Sequence, residues 1–180
     1  MGALRATWTD DLIVVDSREQ DPLFPSAERA TLVTGDYSVT GYTETIAVER
    51  KSAADLFSSL GGPGGRNRKR LLRAFRRLSL MPWGAFVVEA TPNGLFHTRQ
   101  FGRITPAHAM GTLLRWSGVY RVPVWFADNH SVAAGLVKSY LRLAWEEVNR
   151  PRHDRPECPC GGGRIVEHDM RWAHEETLPR

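Results

Sequence analysis

The chain has few cysteines and no long apolar run. Its two cysteines, Cys158 and Cys160, are separated by one residue, which excludes a disulfide framework and makes a reducing compartment the expected one. No apolar run approaches the roughly 18 residues of a membrane span, and the N-terminus lacks the apolar region of a secretion signal. We therefore expect a cytoplasmic protein that neither spans nor binds a membrane.

Acidic residues are absent from one long window of the sequence. Between Leu56 and Val88 there is no Asp or Glu, whereas seven basic residues lie there, and the rest of the chain sums to a net charge of −3. Lysine is also scarce: three of the 24 basic residues are lysine and the others are arginine, whose planar guanidinium matches phosphate geometry. A basic stripe on a near-neutral remainder predicts a polyanionic partner bound on one face.

Short apolar strands alternate with amphipathic helices over residues 1–150. We predict strands over 11–16, 30–39 (interrupted at Gly35-Asp36), 45–51, 84–90 and 122–127, a turn at 92–94, and helices over 52–60, 66–80, 106–120 and 131–149. The early strands have an antiparallel pattern and the later ones belong to βα units. The predicted fold class is therefore α/β, with a mixed central sheet flanked by helices.

A change of composition after Arg150 predicts a separate tail over 151–180, part linker and part small module. The tail contains two cysteines and two histidines, the side chains that zinc prefers: Cys158, Cys160, His168 and His174. The C-x-C spacing is unusual for a zinc site. We therefore favour a tail with incidental cysteines over a zinc module.

Acidic residues follow three of the predicted strands. Asp16 follows LIVV, Asp36 follows TLVTG and Glu49 follows TIAV, and strand ends are where α/β sheets place their sites. Glu49 and Lys51 are two residues apart on one strand, so their side chains share a face. This pattern suits metal-dependent phosphodiester hydrolysis, because two carboxylates bind a hard cation and a nearby lysine orients or helps to deprotonate a water. A plain surface strand with solvent-facing Glu and Lys fits the same spacing.

Taken together, these motifs resemble those of the XPF family of structure-specific DNA endonucleases. The segments that carry the resemblance are VDSRE at 15–19, GDY at 35–37, VERKS at 48–52 with Asp55, and GR at 65–66. The resemblance covers roughly residues 12–149 and implies a restriction-endonuclease-like fold of the PD-(D/E)XK type. It also implies dependence on Mg²⁺ or Mn²⁺, no organic cofactor, and branched, flapped or forked DNA as the substrate.

The resemblance also implies roles for individual residues. Asp36 and Glu49 would bind the metal, with help from a backbone carbonyl near Arg50. Lys51 would orient the water, and Asp16 would be an auxiliary or second-metal acid. The expected contacts with DNA are Arg18, Arg50, Arg66, Lys69, Arg70 and Arg73.

The helix predicted over 66–80 carries the basic stripe. Its leucine and phenylalanine residues share one side and six basic residues fan across the other. Six cations without an acid would repel one another, which favours contact with the DNA backbone over a merely solvated face. Ser52 and Asp55 fit the start of a capping box, so Asp55 also has a structural explanation. The apolar stripe of the helix over 131–149, with the resemblance, favours a homodimer.

The expected reaction is hydrolysis by a metal-activated water, which leaves a 5′-phosphate and a 3′-hydroxyl. Most members of the resembled family carry a tandem helix-hairpin-helix module, for which residues 151–180 are too few, so we expect a stand-alone nuclease domain. Without that module, a Holliday-junction resolvase or a nuclease of low selectivity is an alternative. A non-catalytic DNA-binding scaffold is a further alternative, against which the presence of Asp36, Glu49 and Lys51 argues.

Overall fold

The computed structural model describes residues 7–61, 65–97 and 104–150. The strands are β1 Ile13–Asp16, β2 Glu28–Ala30, β3 Tyr37–Val39, β4 Ile46–Ser52, β5 Trp83–Glu89 and β6 Val124–Ala127. The α-helices are α1 Ala53–Gly61, α2 Arg66–Leu78, α3 Pro92–His97, α4 Pro106–Tyr120 and α5 His130–Val148. The predicted tail over 151–180, with its zinc alternative, lies outside the described residues. Among the residues that are described, no helix is both long enough and apolar enough to cross a bilayer.

Six strands form one mixed sheet in the order β2-β1-β3-β4-β5-β6. Strand β3 is antiparallel to both of its neighbours, whereas β4, β5 and β6 are parallel to one another. The mixed sheet, antiparallel early and parallel late, confirms the predicted fold class. The short edge strand β2, which pairs in parallel with β1, was not predicted.

Different helices cover the two faces of the sheet. On one face, Val48 belongs to a core cluster that includes Leu141 of α5, and on the other, Ala47 belongs to a cluster that includes Phe75 of α2. Successive side chains of a strand point to opposite faces. Odd-numbered residues of β4 therefore face α1 and α2, and even-numbered ones face α5. This alternation decides which residues of β4 enter the candidate site.

Two segments differ from their sequence prediction. Residues 30–39 form the end of β2, a loop and β3 rather than one interrupted strand, because Gly35 adopts a φ of +76° that turns the chain. Residues 92–94, predicted as a turn, lie in helix α3. Thr91 Oγ1 accepts a hydrogen bond from the Gly94 N–H at 2.7 Å, and Pro92 suits the first helical position, so these residues begin a helix.

Candidate active site

Asp36 lies in the loop that leads into β3 and is held by the backbone of β4. Its N–H donates to the Val48 carbonyl at 2.8 Å, and its Oδ2 accepts from the Arg50 N–H at 2.7 Å. Gly35 allows this approach: a Cβ at this position would lie 2.8 Å from the Val48 carbonyl oxygen. The Gly-Asp pair is therefore what lets the chain bring a carboxylate against the residues that flank Glu49.

Replacing Gly35 by alanine should both strain the backbone and push the loop away from β4. Gly41 has nearly the same φ, +79°, but open space where a Cβ would stand, so Gly41→Ala is a matched control. We expect Gly35→Ala to lower the free energy of unfolding by about 3 kcal/mol and Gly41→Ala by about 1 kcal/mol. Urea denaturation of both variants measures this, and equal losses would contradict the close approach.

Glu49 and Lys51 share the face of β4 that points toward α2. Lys51 Nζ lies 3.0 Å from Glu49 Oε1, and the two side chains are 26% and 12% exposed. This geometry follows the spacing that the sequence shows, because residues two apart on a strand lie on the same side. The structure thus brings Asp36, Glu49 and Lys51 together at one place.

Burial and the charges of neighbouring side chains shift the pKa values of Asp36 and Lys51. Burial, and then the carboxylate of Glu49, raise the pKa of Asp36 to about 8, although Lys51 works in the opposite direction. Burial disfavours the ammonium of Lys51, but Glu49 and Asp36 outweigh it and raise the pKa of Lys51. Lys51 is therefore a cation at neutral pH. This favours orienting a water over deprotonating it.

Asp16 is the most completely hydrogen-bonded of the predicted acids. Its Oδ1 accepts from the N–H and Nε of Arg18 at 2.8 and 2.7 Å, and its Oδ2 accepts from Arg18 Nη2 at 2.7 Å and the Leu32 N–H at 2.8 Å. Hydrogen bonds from Arg18 lower the pKa of Asp16 to about 2, against the effect of burial. Asp16 lines the same cleft as Asp36. A metal contact would require Arg18 to move, so the metal role of Asp16 stays a prediction.

A cleft of about 700 Å³ joins this acidic cluster to helix α2. The α2 residues that line it are Asn67, Arg70, Leu71, Arg73, Ala74 and Arg77. Arg18, whose side chain is 66% exposed, lines the opposite wall. Of the predicted DNA contacts, Arg18, Arg70 and Arg73 thus lie at the cleft, whereas Arg66 and Lys69 are exposed outside its lining. Arg77, one of the six basic residues on the helix side that the sequence predicts to contact DNA, also lines the cleft, although it is not among the individually named contacts. It lies seven residues after Arg70 and four after Arg73, so the three share one helix stripe.

The side chain of Arg50 does not point toward the cleft, which corrects the prediction that it contacts DNA. It is 8% exposed and lies on the α5 face of β4. Its Nε donates to Glu89 Oε2 at 2.7 Å, its Nη1 donates to the Asp21 carbonyl at 3.0 Å, and its Nη2 lies 3.2 Å from His130 Nδ1. The physical reason is strand alternation: a residue between Glu49 and Lys51 must face the other way. No sequence motif indicates Glu89 or His130 as partners of Arg50.

Asp55 has the structural role at the start of α1 that the sequence predicts. Its N–H donates to Ser52 Oγ at 3.1 Å, and the Ser52 hydroxyl donates back to Asp55 Oδ2 at 2.8 Å. The first bond is the serine half of a capping box, whereas the Asp55 carboxylate binds the Ser52 hydroxyl rather than the Ser52 N–H. The same residue lines the cleft. Its helix-starting role therefore fully accounts for its side chain without a catalytic one.

The donor set at the cleft fits a hard divalent cation. Asp36 and Glu49 offer carboxylate oxygens, the ligands that Mg²⁺ and Mn²⁺ prefer. Burial, and then the charge of Glu49, raise the pKa of Asp36 in spite of Lys51, and a bound cation would favour its charged form. Within residues 7–61, 65–97 and 104–150, no group of three or more His, Cys, Asp or Glu side chains is arranged to hold a metal. Asp36 and Glu49 are the candidate side-chain ligands, and Asp16, which lines the same cleft, stays a predicted auxiliary acid.

The chain is similar to known proteins in sequence and in fold. The model of the ERCC4 domain family matches residues 15–140, more than half of the chain. A solved structure of XPF from Aeropyrum pernix, and another of the same protein in complex with DNA, each align with a TM-score of 0.56 at 21% identity. The matches cover 76% and 75% of this chain. They cover 66% and 65% of those chains, somewhat less than two thirds of each.

These matches confirm the restriction-endonuclease-like fold that the resemblance implied, since both solved structures share it. No curated protein matches the chain. The family model begins at the strand that carries Asp16, and it includes Asp36, Glu49, Lys51 and the whole of α2. On this evidence the chain belongs to the ERCC4 domain family, as its resemblance to XPF nucleases predicted.

Proposed function

We propose that this protein is a metal-dependent DNA endonuclease that hydrolyses phosphodiester bonds at branched, flapped or forked DNA. The observation that carries the proposal is the convergence of Asp36, Glu49 and Lys51 in a cleft whose other wall presents Arg70, Arg73 and Arg77. An acidic cluster that can hold a cation, facing a row of guanidinium groups, suits a polyanion with one bond to be cut. The DNA complex of the similar XPF structure supports DNA as the ligand.

Each residue of the site has a distinct part in this proposal. Asp36 and Glu49 would hold Mg²⁺ or Mn²⁺, which when bound would activate a water and neutralise charge on the phosphate. Lys51, as a cation, would orient the attacking water and meet the charge that develops on the phosphate oxygens. The expected products are a 5′-phosphate and a 3′-hydroxyl.

The basic wall would position the DNA strand without reading its sequence. Arg70, Arg73 and Arg77 follow one helix stripe, so they span about 10 Å along α2 at 1.5 Å per residue. Guanidinium groups on such a stripe bind backbone phosphates. We therefore expect these arginines to carry affinity and salt dependence, and the metal site to carry chemistry.

A cleavage assay on a panel of end-labelled DNAs tests the function. The panel comprises duplex, single strand, 3′ flap, 5′ flap, splayed fork and four-way junction, each with Mg²⁺, Mn²⁺ or EDTA. Cutting of flaps or forks that EDTA abolishes would support the proposal. Preferential, symmetrical cutting of the four-way junction would favour a resolvase, and equal cutting of all substrates a nuclease of low selectivity. Tight binding without cutting would favour a non-catalytic scaffold.

The contribution of α2 can be separated from chemistry by measuring binding in EDTA. Arg73 lines the cleft, whereas Arg76 is exposed on the same helix outside its lining, so Arg76→Gln is the matched control for Arg73→Gln. We expect Arg73→Gln to weaken DNA binding and to reduce the slope of log K against log[salt] by about 0.9. Fluorescence anisotropy at several salt concentrations measures both quantities. Equal effects of the two variants would place the DNA elsewhere.

A homodimer and a cytoplasmic or nucleoid-associated location are further parts of the proposal. Support for the homodimer comes from apolar side chains that remain exposed on the helices beside the edge strand β6. These are Leu114 of α4 and Val132 and Leu143 of α5, between 48% and 66% exposed. Exposed apolar groups of this kind are typical of protein interfaces. Sedimentation equilibrium measures the oligomeric state.

A further inference from the structure

Val33 is an exposed apolar residue that lines a mainly polar cleft. It is 81% exposed, more than any other large hydrophobic residue that the structure describes. It lines the same cleft as Asp36, Glu49 and Lys51 and lies three residues before Asp36. The other apolar lining residues of any size, Leu71 and Ala74, are buried. An isolated exposed valine needs no explanation, but this one faces the reacting groups.

The loop that carries Val33 is held by hydrogen bonds to the residue before it, and both neighbours of Val33 are buried. The Leu32 N–H donates to Asp16 Oδ2 at 2.8 Å, and the Leu32 carbonyl accepts from Arg18 Nη2 at 2.7 Å. Leu32 itself is 3% exposed and Thr34 is 6% exposed. Because Leu32 is held by these hydrogen bonds and Thr34 is buried, an inward turn of Val33 would break the contacts of Leu32 or expose Thr34. The side chain is therefore presented in a preorganised position.

Arg18 lines the same cleft as Val33 and binds the carbonyl of the residue before it. The guanidinium of Arg18 bonds both Asp16 and the Leu32 carbonyl, yet its side chain is 66% exposed. A phosphate can meet the exposed part of a guanidinium, and a nucleobase or sugar can pack on an apolar side chain. A nucleotide offers both groups at one step of its backbone. The pair of Arg18 and Val33 thus matches a single nucleotide beside the acidic cluster.

We propose that Val33 determines substrate specificity by packing against the base adjacent to the scissile phosphate, in place of the neighbouring base of a continuous stack. A base at a junction or flap has already lost one stacking neighbour, so Val33 can draw it from the remaining neighbour at a lower unstacking cost than in continuous duplex. In continuous duplex the same contact requires unstacking first. This inference rests on the proposed nuclease function, and it assigns Val33 to selectivity rather than to chemistry.

The test replaces Val33 by threonine, which keeps the shape and adds a hydroxyl. Val119, a 63% exposed valine of α4 outside the cleft lining, supplies the matched control Val119→Thr. A 2-aminopurine beside the junction reports unstacking by its fluorescence during binding in EDTA, independently of cutting. Cleavage of junction relative to continuous duplex is measured in parallel. We expect Val33→Thr to remove most of the fluorescence rise and to reduce the junction preference about tenfold, with no change for Val119→Thr.

The outcomes separate this inference from the proposed function. If the wild-type protein binds and unstacks the probe base in a Val33-dependent way but cuts nothing, the nuclease proposal fails and the contact stands. If the wild-type protein cuts junctions while Val33→Thr leaves both the fluorescence rise and the preference unchanged, the inference is overturned. An equal loss of cutting on all substrates, with the preference intact, overturns it as well.

Discussion

Asp36→Asn is expected to abolish cleavage and, in the same molecule, to stabilise the metal-free protein at high pH. Asparagine keeps an oxygen that can accept from the Arg50 N–H but carries no negative charge. Loss of one of the two carboxylate ligands should reduce the cleavage rate about a thousandfold, which corresponds to several kcal/mol of lost transition-state stabilisation. The stability gain follows from the pKa of the wild-type residue.

The sign of the stability effect depends on where the Asp36 proton binds. Its pKa is raised from 3.8 to about 8 on folding, so between these values the native state holds a proton that the unfolded state has lost. Stability of the wild-type protein therefore falls as the pH rises through this window, by at most about 1.4 kcal/mol for each pH unit. Asp36→Asn does not titrate and escapes this loss. The cost is absent below about pH 4 and complete above about pH 8.

Urea denaturation in EDTA at pH 5.5, 7 and 8.5 measures this difference. We expect the gap in unfolding free energy between Asp36→Asn and the wild-type protein to grow steadily with pH in favour of the variant. Adding Mg²⁺ or Mn²⁺ should stabilise the wild-type protein more at pH 8.5 than at pH 5.5, because a metal must displace the proton. A gap that is constant with pH would show that neither burial nor Glu49 raises the pKa of Asp36 in the folded protein.

Arg50→Met is expected to destabilise the protein by about 3–5 kcal/mol, the range for breaking a buried ion pair. Methionine preserves most of the length of the side chain but leaves Glu89 and Glu19, 16% and 14% exposed, without their shared cation. The carboxylates would then be close together in a poorly solvated place. Because the Arg50 N–H that binds Asp36 belongs to the backbone, the variant retains that hydrogen bond once folded.

A surface pair of the same chemistry provides the control for Arg50→Met. Arg142 and Glu146 of α5 form an ion pair at 2.7 Å with side chains 60% and 44% exposed. Arg142→Met should cost no more than about 0.5 kcal/mol, since solvent screens such pairs. Chemical denaturation at neutral pH compares the two variants. A loss below about 1 kcal/mol for Arg50→Met would mean that the cluster contributes no more than a surface pair.

The sequence was sufficient for features that depend on local geometry. Glu49 and Lys51 share a face because a strand alternates, and Asp36 follows a glycine that can turn the chain, so both could be foreseen. The same rule already assigned Arg50 to the opposite face. Treating Arg50 as a DNA contact disregarded that rule, and the structure corrects it.

Contacts between distant segments could not be foreseen in the same way. Asp16 is engaged by Leu32, 16 residues away, and Arg50 meets His130, 80 residues away. Neither partner follows from a motif, because each depends on how loops pack at the end of the sheet. Helix α3 was missed for a different reason: Pro-Asn-Gly is typical of turns, and the hydrogen bond to Thr91 Oγ1 turns it into a helix start.

Strand β4 places Glu49 and Lys51 on one face of the sheet and Arg50 on the other, and this has a consequence for folding to the active state. Asp36 binds the carbonyl of Val48 and the N–H of Arg50, the two residues that flank Glu49. A one-residue slip of β4 against its neighbours would exchange the faces and bring Arg50 beside Asp36 in place of Glu49. That misaligned sheet would neutralise the charge of Asp36 and yet lack a ligand pair. Recovery of nuclease activity on refolding would therefore measure only the molecules in which β4 is in its native register. Recovery of secondary structure would measure these molecules together with those in which β4 has slipped by one residue.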